Sequence, residues 1–190
     1  KIFMAGILPS GIEFMDREAL LFTLPFVDDA PAILKDDHDA HLLIELDGFN
    51  PDVLMSDCEK IVDICDQFSI DEILFAESEA QKESLWKIRR KIGECVKSHS
   101  IYKEEDTVVP RFELPKLLKR VKELAIKYGF QPVCYGHAGD GNLHIRINHP
   151  TIKKSFESEE MNHILTALFQ LVYSLGGTIS GEHGIGLIQK

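Results

Sequence analysis

Read for its hydrophobic and polar positions, the chain switches between strand-like stretches and stretches with a helical repeat. His41-Leu-Leu-Ile-Glu-Leu-Asp47 has the dense apolar character of a mostly buried strand and is closed by Gly48. Asp52 opens a helix whose stripe is Leu54, Cys58, Ile61, Cys65 and Phe68. A second strand is expected over residues 70–76. The next helix, residues 78–98, carries Leu85, Ile88, Ile92, Cys95 and Val96 on its core stripe. Trp86, Arg89 and Gly93 fall on another stripe, because positions i, i+3 and i+7 share a face. Thr107-Val108-Val109, ahead of Pro110, reads as a third strand. A helix with Leu114, Leu117, Leu118, Val121, Leu124 and Ala125 follows and ends near Gly129. Strands over residues 132–137 and 142–148 flank Ala138-Gly139-Asp140-Gly141 and make a hairpin. A long helix carrying Met161, Ile164, Leu165, Leu168, Leu171, Val172 and Leu175 is stopped by Gly176 and Gly177. Residues 25–39, with Pro31 and several aspartates, read as a loop. Helices mixed with strands, including one hairpin, predict an α+β fold: a mainly antiparallel sheet with helices packed on one face, residues 1–190 forming one domain.

Composition narrows the picture. The 190 residues are 44% apolar, enough for a sizeable core without disulfides. The 31 acidic residues outnumber the 21 basic ones, for a formal net charge of -10. With no local basic cluster, this excludes a nucleic-acid partner, which needs a positive face. None of Cys58, Cys65, Cys95 and Cys134 forms a C-x-x-C pair. They read as small buried residues in a reducing compartment. No apolar run approaches the ~20 residues of a membrane span, and no signal peptide is visible. A cytoplasmic location, with peripheral membrane association as the variant, is the expectation.

Two glycine-rich segments hold the candidate chemistry. In Tyr135-Gly-His-Ala-Gly-Asp-Gly-Asn-Leu-His-Ile-Arg-Ile147, the glycines permit a tight reversal. After the turn, Leu143, Ile145 and Ile147 alternate with Asn142, His144 and Arg146. The first set is expected to face the core and the second to share the other face. If His137 stands opposite Asn142, then His144 is its diagonal neighbour on that face, ~7–8 Å away, close enough for two imidazoles to converge on one ion. Taken alone, such histidines are either metal ligands or hydrogen-bonded structural residues. The second segment is Gly177-Thr-Ile-Ser-Gly-Glu-His-Gly-Ile-Gly186, where Glu182 and His183 sit among small residues. It is either an exposed turn or a ligand beside a base. Two histidines and one carboxylate would leave open positions on an ion, the pattern of catalytic metals, and suit zinc or manganese alike.

The pair Gly136-His-Ala-Gly-Asp-Gly-Asn-Leu-His144 and Ser180-Gly-Glu-His-Gly-Ile-Gly186 resembles the C-terminal domain of the FAD-linked oxidases, the family that oxidises D-2-hydroxy acids such as D-lactate and glycolate. Weaker likenesses at Ile12-Glu-Phe-Met-Asp16, Ile44-Glu-Leu-Asp-Gly48, Leu85-Trp-Lys-Ile-Arg89 and Glu105-Asp-Thr-Val-Val-Pro-Arg111 extend it over nearly the whole chain. The resemblance implies His137, His144 and Glu182 as ligands of a divalent metal, His183 as the base beside the flavin, and Arg89 as a holder of the substrate carboxylate. Asn142 and Arg146 join Arg89 as expected substrate-facing residues. Arg146 stands where members acting on D-2-hydroxyglutarate have asparagine, and Glu104 occupies the position of a lysine in the same members. FAD is expected to be held by a domain outside this stretch, since no glycine-rich strand-to-helix turn of the dinucleotide-binding kind occurs here. The chain, which starts at Lys1, is thus expected to be one piece of a larger protein and inactive alone. Its partners would be that FAD-binding domain, a small 2-hydroxy acid and an electron acceptor that the sequence does not name. Two other classes remain open at this point. In a metal-dependent hydrolase, His183 would activate water. A non-catalytic assembly module would bind no metal.

Overall fold

The computed structural model describes residues 1–28, 38–99, 102–148 and 159–186. Five strands run β1 (Gly11–Asp16), β2 (Ala40–Glu45), β3 (Tyr102–Val108), β4 (Gln131–His137) and β5 (Asn142–Asn148). Five α-helices are interleaved: α1 (Arg17–Thr23), α2 (Pro51–Cys65), α3 (Glu79–His99), α4 (Leu114–Tyr128) and α5 (Glu159–Ser174). The strands form one sheet in the order β2-β1-β4-β5-β3, with every neighbouring pair antiparallel. The fold is α+β, as the pattern predicts.

Cross-strand partners point to the same face of a sheet, so the register sorts the side chains. Thr107 faces Leu143, Glu105 faces Ile145 and Lys103 faces Ile147. Leu143, Ile145, Ile147 and Cys134 join the larger core, which α4 and α5 close with Leu114, Leu117, Val121 and Ala125, and with Met161, Ile164, Leu168 and Val172. Their spacing is the apolar helical stripe read from the sequence, but helices cover both faces of the sheet rather than the one face expected. A second layer covers the opposite face. There α1 supplies Ala19 and Leu20 and α3 supplies Ile88, Ile92 and Val96, packed on Met15, Val133 and Tyr135. The sheet is therefore buried on both sides. The side under α3 carries the polar residues.

Three local differences from the sequence reading have plain causes. Residues 70–76 form no strand. Among the described residues no strand pairs with them, and Ile73, Leu74 and Phe75 stay about half exposed. An apolar, β-prone run without a ladder partner remains irregular. β1 and α1 were not anticipated, because Glu13 and Asp16 interrupt the apolar alternation, yet both are buried. Asp16 caps α1 by accepting from the Ala19 amide at 2.8 Å, and also accepts from the Cys134 amide at 2.7 Å. β3 starts five residues before the expected Thr107, since Lys103, Glu104, Glu105 and Asp106 hide a strand whose two faces are both covered. Residues 29–37 of the expected loop lie outside the described residues. α2 opens as expected, with the Asn50 side chain accepting from the Asp52 and Val53 amides, but of its stripe only Ile61 is buried. All four cysteines are free, Cys95 and Cys134 buried and Cys58 and Cys65 half-buried. No helix among the described residues is long and apolar enough to cross a membrane.

Glu105 is the outlier of the larger core. It is 1% exposed, and neither carboxyl oxygen has a hydrogen-bond partner among the described residues. Burial raises its pKa from 4.5 to about 7, against the pull of Lys103, whose Nζ is 3.6 Å away. A carboxyl whose folded pKa is raised favours the folded state fully below about pH 4.5, and that contribution is lost as pH rises through about 7. Glu105→Gln, which cannot ionise, is expected to match the parent near pH 5 and exceed its stability above pH 7.5. The difference should be on the order of 3 kcal/mol at most, read from urea unfolding across pH. Parallel pH profiles for parent and variant would show that Glu105 stays ionised in the fold.

Candidate active site

The face of the sheet under α3 is polar by register. Glu13 stands opposite His137 and Met15 opposite Tyr135. Tyr135 and Asp106 flank His144, and Glu104 stands opposite Arg146. Glu13, Tyr135, His137, His144, Arg146, Glu104 and Asp106 therefore all project to one side. This is the face expected for His144 and Arg146, while Leu143, Ile145 and Ile147 lie in the core behind it.

His137 and His144 meet as the hairpin argument requires, with ring centroids 6.3 Å apart and the rings nearly perpendicular. The turn between them brings two backbones close. A Cβ on Gly136 would stand 2.6 Å from the Asn142 carbonyl oxygen, so only glycine fits beside His137. His137 Nδ1 is 2.7 Å from Glu13 Oε1, and its Nε2 is 3.3 Å from Glu182 Oε1. His137, His144 and Glu182 each offer a ligand atom, all within 4.8 Å of one another. Nδ1 of His144 is sealed from solvent with no hydrogen-bond partner among the described residues; Asp106 Oδ1 is 3.9 Å away. Burial lowers the pKa of His144, against the opposing pull of Glu104 and Asp106, which favours the neutral ring that a metal requires. An orphaned ring nitrogen in a His-His-carboxylate cluster fits a divalent cation. Glu104, His144 and His183 form a second group within the same limit, but Glu104 is already bonded to Arg146 and accepts from the Tyr135 hydroxyl at 3.3 Å.

Glu182 and His183 reach this place from a distant part of the chain. After α5, Thr178 pairs with Val108 through two backbone bonds of 2.8 and 3.0 Å, extending the ladder beyond β3. The chain then turns over Asp106. Oδ2 of Asp106 accepts from the amides of Gly181, Glu182 and His183 at 3.0, 2.7 and 3.0 Å, and Oδ1 accepts from Asn142 Nδ2 at 2.6 Å. Burial alone would raise the Asp106 pKa, but the His183 and Glu182 amides and the Asn142 amide outweigh it and hold it at about 2. A Cβ on Gly181 would lie 2.3 Å from Asn142 Nδ2, so the loop approaches this closely only with glycine there. His183 is exposed and its ring stacks on His144, centroids 5.3 Å apart.

Arg89 and Arg146 flank Tyr135, their guanidinium carbons 5.2 and 5.4 Å from its ring centroid. Arg89 is buried and donates Nε and Nη2 to Glu13 Oε2, both at 2.7 Å. Arg146 pairs with Glu104 and donates Nη1 to the Gly93 carbonyl at 2.9 Å. The stripe of Trp86, Arg89 and Gly93 is thus the face of α3 turned to the polar sheet. Trp86 Nε1 donates to Glu45 on β2.

Residues 1–190 match the family described as FAD linked oxidases, C-terminal domain. The chain belongs to that family. It is 35% identical to the glycolate oxidase subunit GlcD of Bacillus subtilis over 187 residues, covering 97% of this chain and 38% of that protein. It is 30% identical to a D-lactate dehydrogenase of Anaerostipes hadrus, covering 98% and 40%. With a D-2-hydroxyglutarate–pyruvate transhydrogenase of Saccharomyces cerevisiae the identity is 29%, covering 95% and 38%. The chain therefore spans about two-fifths of the length of these relatives.

Every sequence-predicted site residue lies on or over this one face. His137, His144, Glu182 and His183 converge directly, Arg89 and Arg146 line the adjoining ground beside Tyr135, and Asn142 sits beneath the loop. Glu13, Asp106 and Tyr135 were not singled out as site residues. The signal for Glu13 and Asp106 was a carboxylate in mid-strand, in Ile12-Glu-Phe-Met-Asp16 and in Glu105-Asp-Thr-Val-Val, where an acid is costly unless it is bonded. Asp106→Asn removes the charge from three backbone bonds. The variant is expected to lose about 1–3 kcal/mol of stability in denaturant unfolding. The amides of Gly181, Glu182 and His183 should exchange hydrogen at least tenfold faster than in the parent, because their local opening becomes easier. Unchanged exchange at these three amides would mean that the loop is held by something else.

Proposed function

We propose that this chain is the metal- and substrate-binding part of a protein that oxidises a D-2-hydroxy acid of the lactate or glycolate type to the 2-oxo acid. The observation that carries the reading is the meeting of His137, His144 and Glu182 with His183 over a face already lined by two arginines. Support also comes from the relatives' names, glycolate oxidase and D-lactate dehydrogenase.

His137, His144 and Glu182 would hold the cation, either zinc or manganese by donor type. Once bound, the cation supplies positive charge beside the carboxylate and hydroxyl oxygens of the substrate. Arg89 and Arg146 pull the substrate carboxylate toward Tyr135, and planar guanidinium groups suit that task. Asn142 holds the floor of the loop and lines the same ground. His183, exposed above His144, takes the proton of the substrate hydroxyl as the hydride leaves Cα. FAD, bound mainly by another part of the protein, supplies the hydride acceptor. Proton and hydride together are the two hydrogens by which the acid and its 2-oxo product differ. Glu182 and His183 are neighbours, and the turn over Asp106 points one toward His137 and the other over His144. One side chain can thus serve the ion while the next serves the proton.

Two outcomes test this. The full-length protein, loaded with zinc or manganese and freed of excess, is expected to retain one divalent ion per chain by elemental analysis. His144→Ala should weaken that retention by at least tenfold. Equal affinity in the variant would remove His144 from the ligand set. For His183→Ala, the holoenzyme should keep its metal and FAD while flavin reduction in stopped flow slows by ~10²–10⁴-fold. His183→Asn should be nearly as slow, since it keeps polarity without basicity. A loss under about threefold, normalised to folded holoenzyme, would exclude His183 as the base.

A further inference from the structure

Glu13 uses both carboxylate oxygens inside the site, one on His137 and one on Arg89. It lies in the middle of β1, directly opposite His137 on β4, and is 4% exposed. Oε1 is 2.7 Å from His137 Nδ1, and Oε2 accepts Nε and Nη2 of Arg89 at 2.7 Å each. A buried carboxylate has a large desolvation cost unless paired, and here the guanidinium of Arg89 offsets it. The acceptor at Nδ1 also fixes how the ring is used. Both ring nitrogens face a carboxylate, but Glu13 is buried and 2.7 Å from Nδ1 whereas Glu182 is exposed and 3.3 Å from Nε2, so the single hydrogen of the neutral ring belongs to the Glu13 bond and the lone pair lies on Nε2. Nε2 is the nitrogen 3.3 Å from Glu182 Oε1, on the side of the candidate ion.

We propose that Glu13 is a positioning residue that selects the Nδ1–H tautomer of His137, turns Nε2 toward the metal position, and ties that ligand to the substrate-side Arg89. The inference rests on the ligand set His137, His144 and Glu182. Carboxylates behind metal-bound histidines typically raise metal affinity by ~10–100-fold. Here the same carboxylate also holds the arginine of the substrate ground. Metal ligand and carboxylate-binding cation therefore hang on one anchor, and a shift of either is felt by the other. The rest of the pocket is built differently: Arg146 hangs on Glu104, and the Glu182 loop on Asp106. Three separate carboxylates, one on β1 and two on β3, place the three parts.

The test uses the full-length holoenzyme and its metal-stripped form, with zinc as the probe. Glu13→Gln keeps the shape and one carbonyl acceptor but cannot hold both His137 and Arg89 as a carboxylate does. Competition with a chromophoric chelator is expected to show zinc bound ~10–100-fold more weakly in the variant. ¹⁵N-histidine spectra of the metal-stripped parent should show His137 as the Nδ1–H tautomer, and those of the variant a mixture. A purely structural role would lower thermal stability without altering the tautomer. Zinc affinity within threefold of the parent in folded Glu13→Gln would overturn the inference. An Nε2–H tautomer in the parent would overturn it as well, and this measurement needs no variant to fold. Failure of the underlying ligand set is distinguishable, because the parent itself would then bind no zinc.

Discussion

The site depends first on one buried carboxylate, that of Asp106. Two parts of the chain far apart in sequence must meet for the histidines and Glu182 to be neighbours. The hairpin of β4 and β5 is set by strand pairing, but among the described residues the loop after α5 has only the Thr178 bridge to a strand. Asp106 supplies the lock. Its Oδ2 takes three successive amides of the loop, and its Oδ1 takes the Asn142 side chain from the start of β5. Three convergent N–H groups around an anion are a preorganised arrangement, and here the anion belongs to the protein. Held at about pKa 2, the carboxylate stays charged throughout the range in which an imidazole would serve as a base.

The two faces of the sheet divide the labour. The face under α4 and α5 is apolar, and its burial drives folding. The face under α1 and α3 is only partly apolar, and its acids are matched one by one: Glu13 with Arg89, Glu104 with Arg146, Asp106 with amides. Each pair offsets desolvation without adding much net stability. What such pairing yields instead is placement, since a guanidinium bound to a carboxylate and stacked on Tyr135 has few other positions to occupy. Glu105 breaks the division, an acid on the apolar face with no hydrogen-bond partner among the described residues.

Much of this was legible in the chain itself. The helices α3, α4 and α5 carry long apolar repeats, and the hairpin carries a clean alternation with glycines at its turn, so pattern and structure agree there. The convergence of His137 and His144 followed from register alone. β1 and most of β3 did not show, because strands that present carboxylates to a covered face lack the alternation by which strands are recognised. Glu13 and Asp106 were hidden for the same reason: their importance lies in partners about 76 residues or more away, Arg89, His137 and the amide of His183. Residues 70–76 erred the other way, since β-forming side chains alone do not provide a neighbouring edge.

Burial also orders the site in depth. Asp106, Glu13, Arg89, His144 and Arg146 are all below a tenth exposed, whereas Glu182 and His183 lie open to solvent. The buried group consists of residues whose bonds are already satisfied or, for the Nδ1 of His144, left vacant in a sealed place. These can be fixed before any ligand arrives, so little ordering entropy remains to oppose binding. Glu182 and His183 form the outer layer, fixed by backbone but free in their side chains apart from the His137 and His144 contacts. An imidazole in that position exchanges protons directly with solvent, whereas the ring of His144 beneath it, 7% exposed, is screened from it.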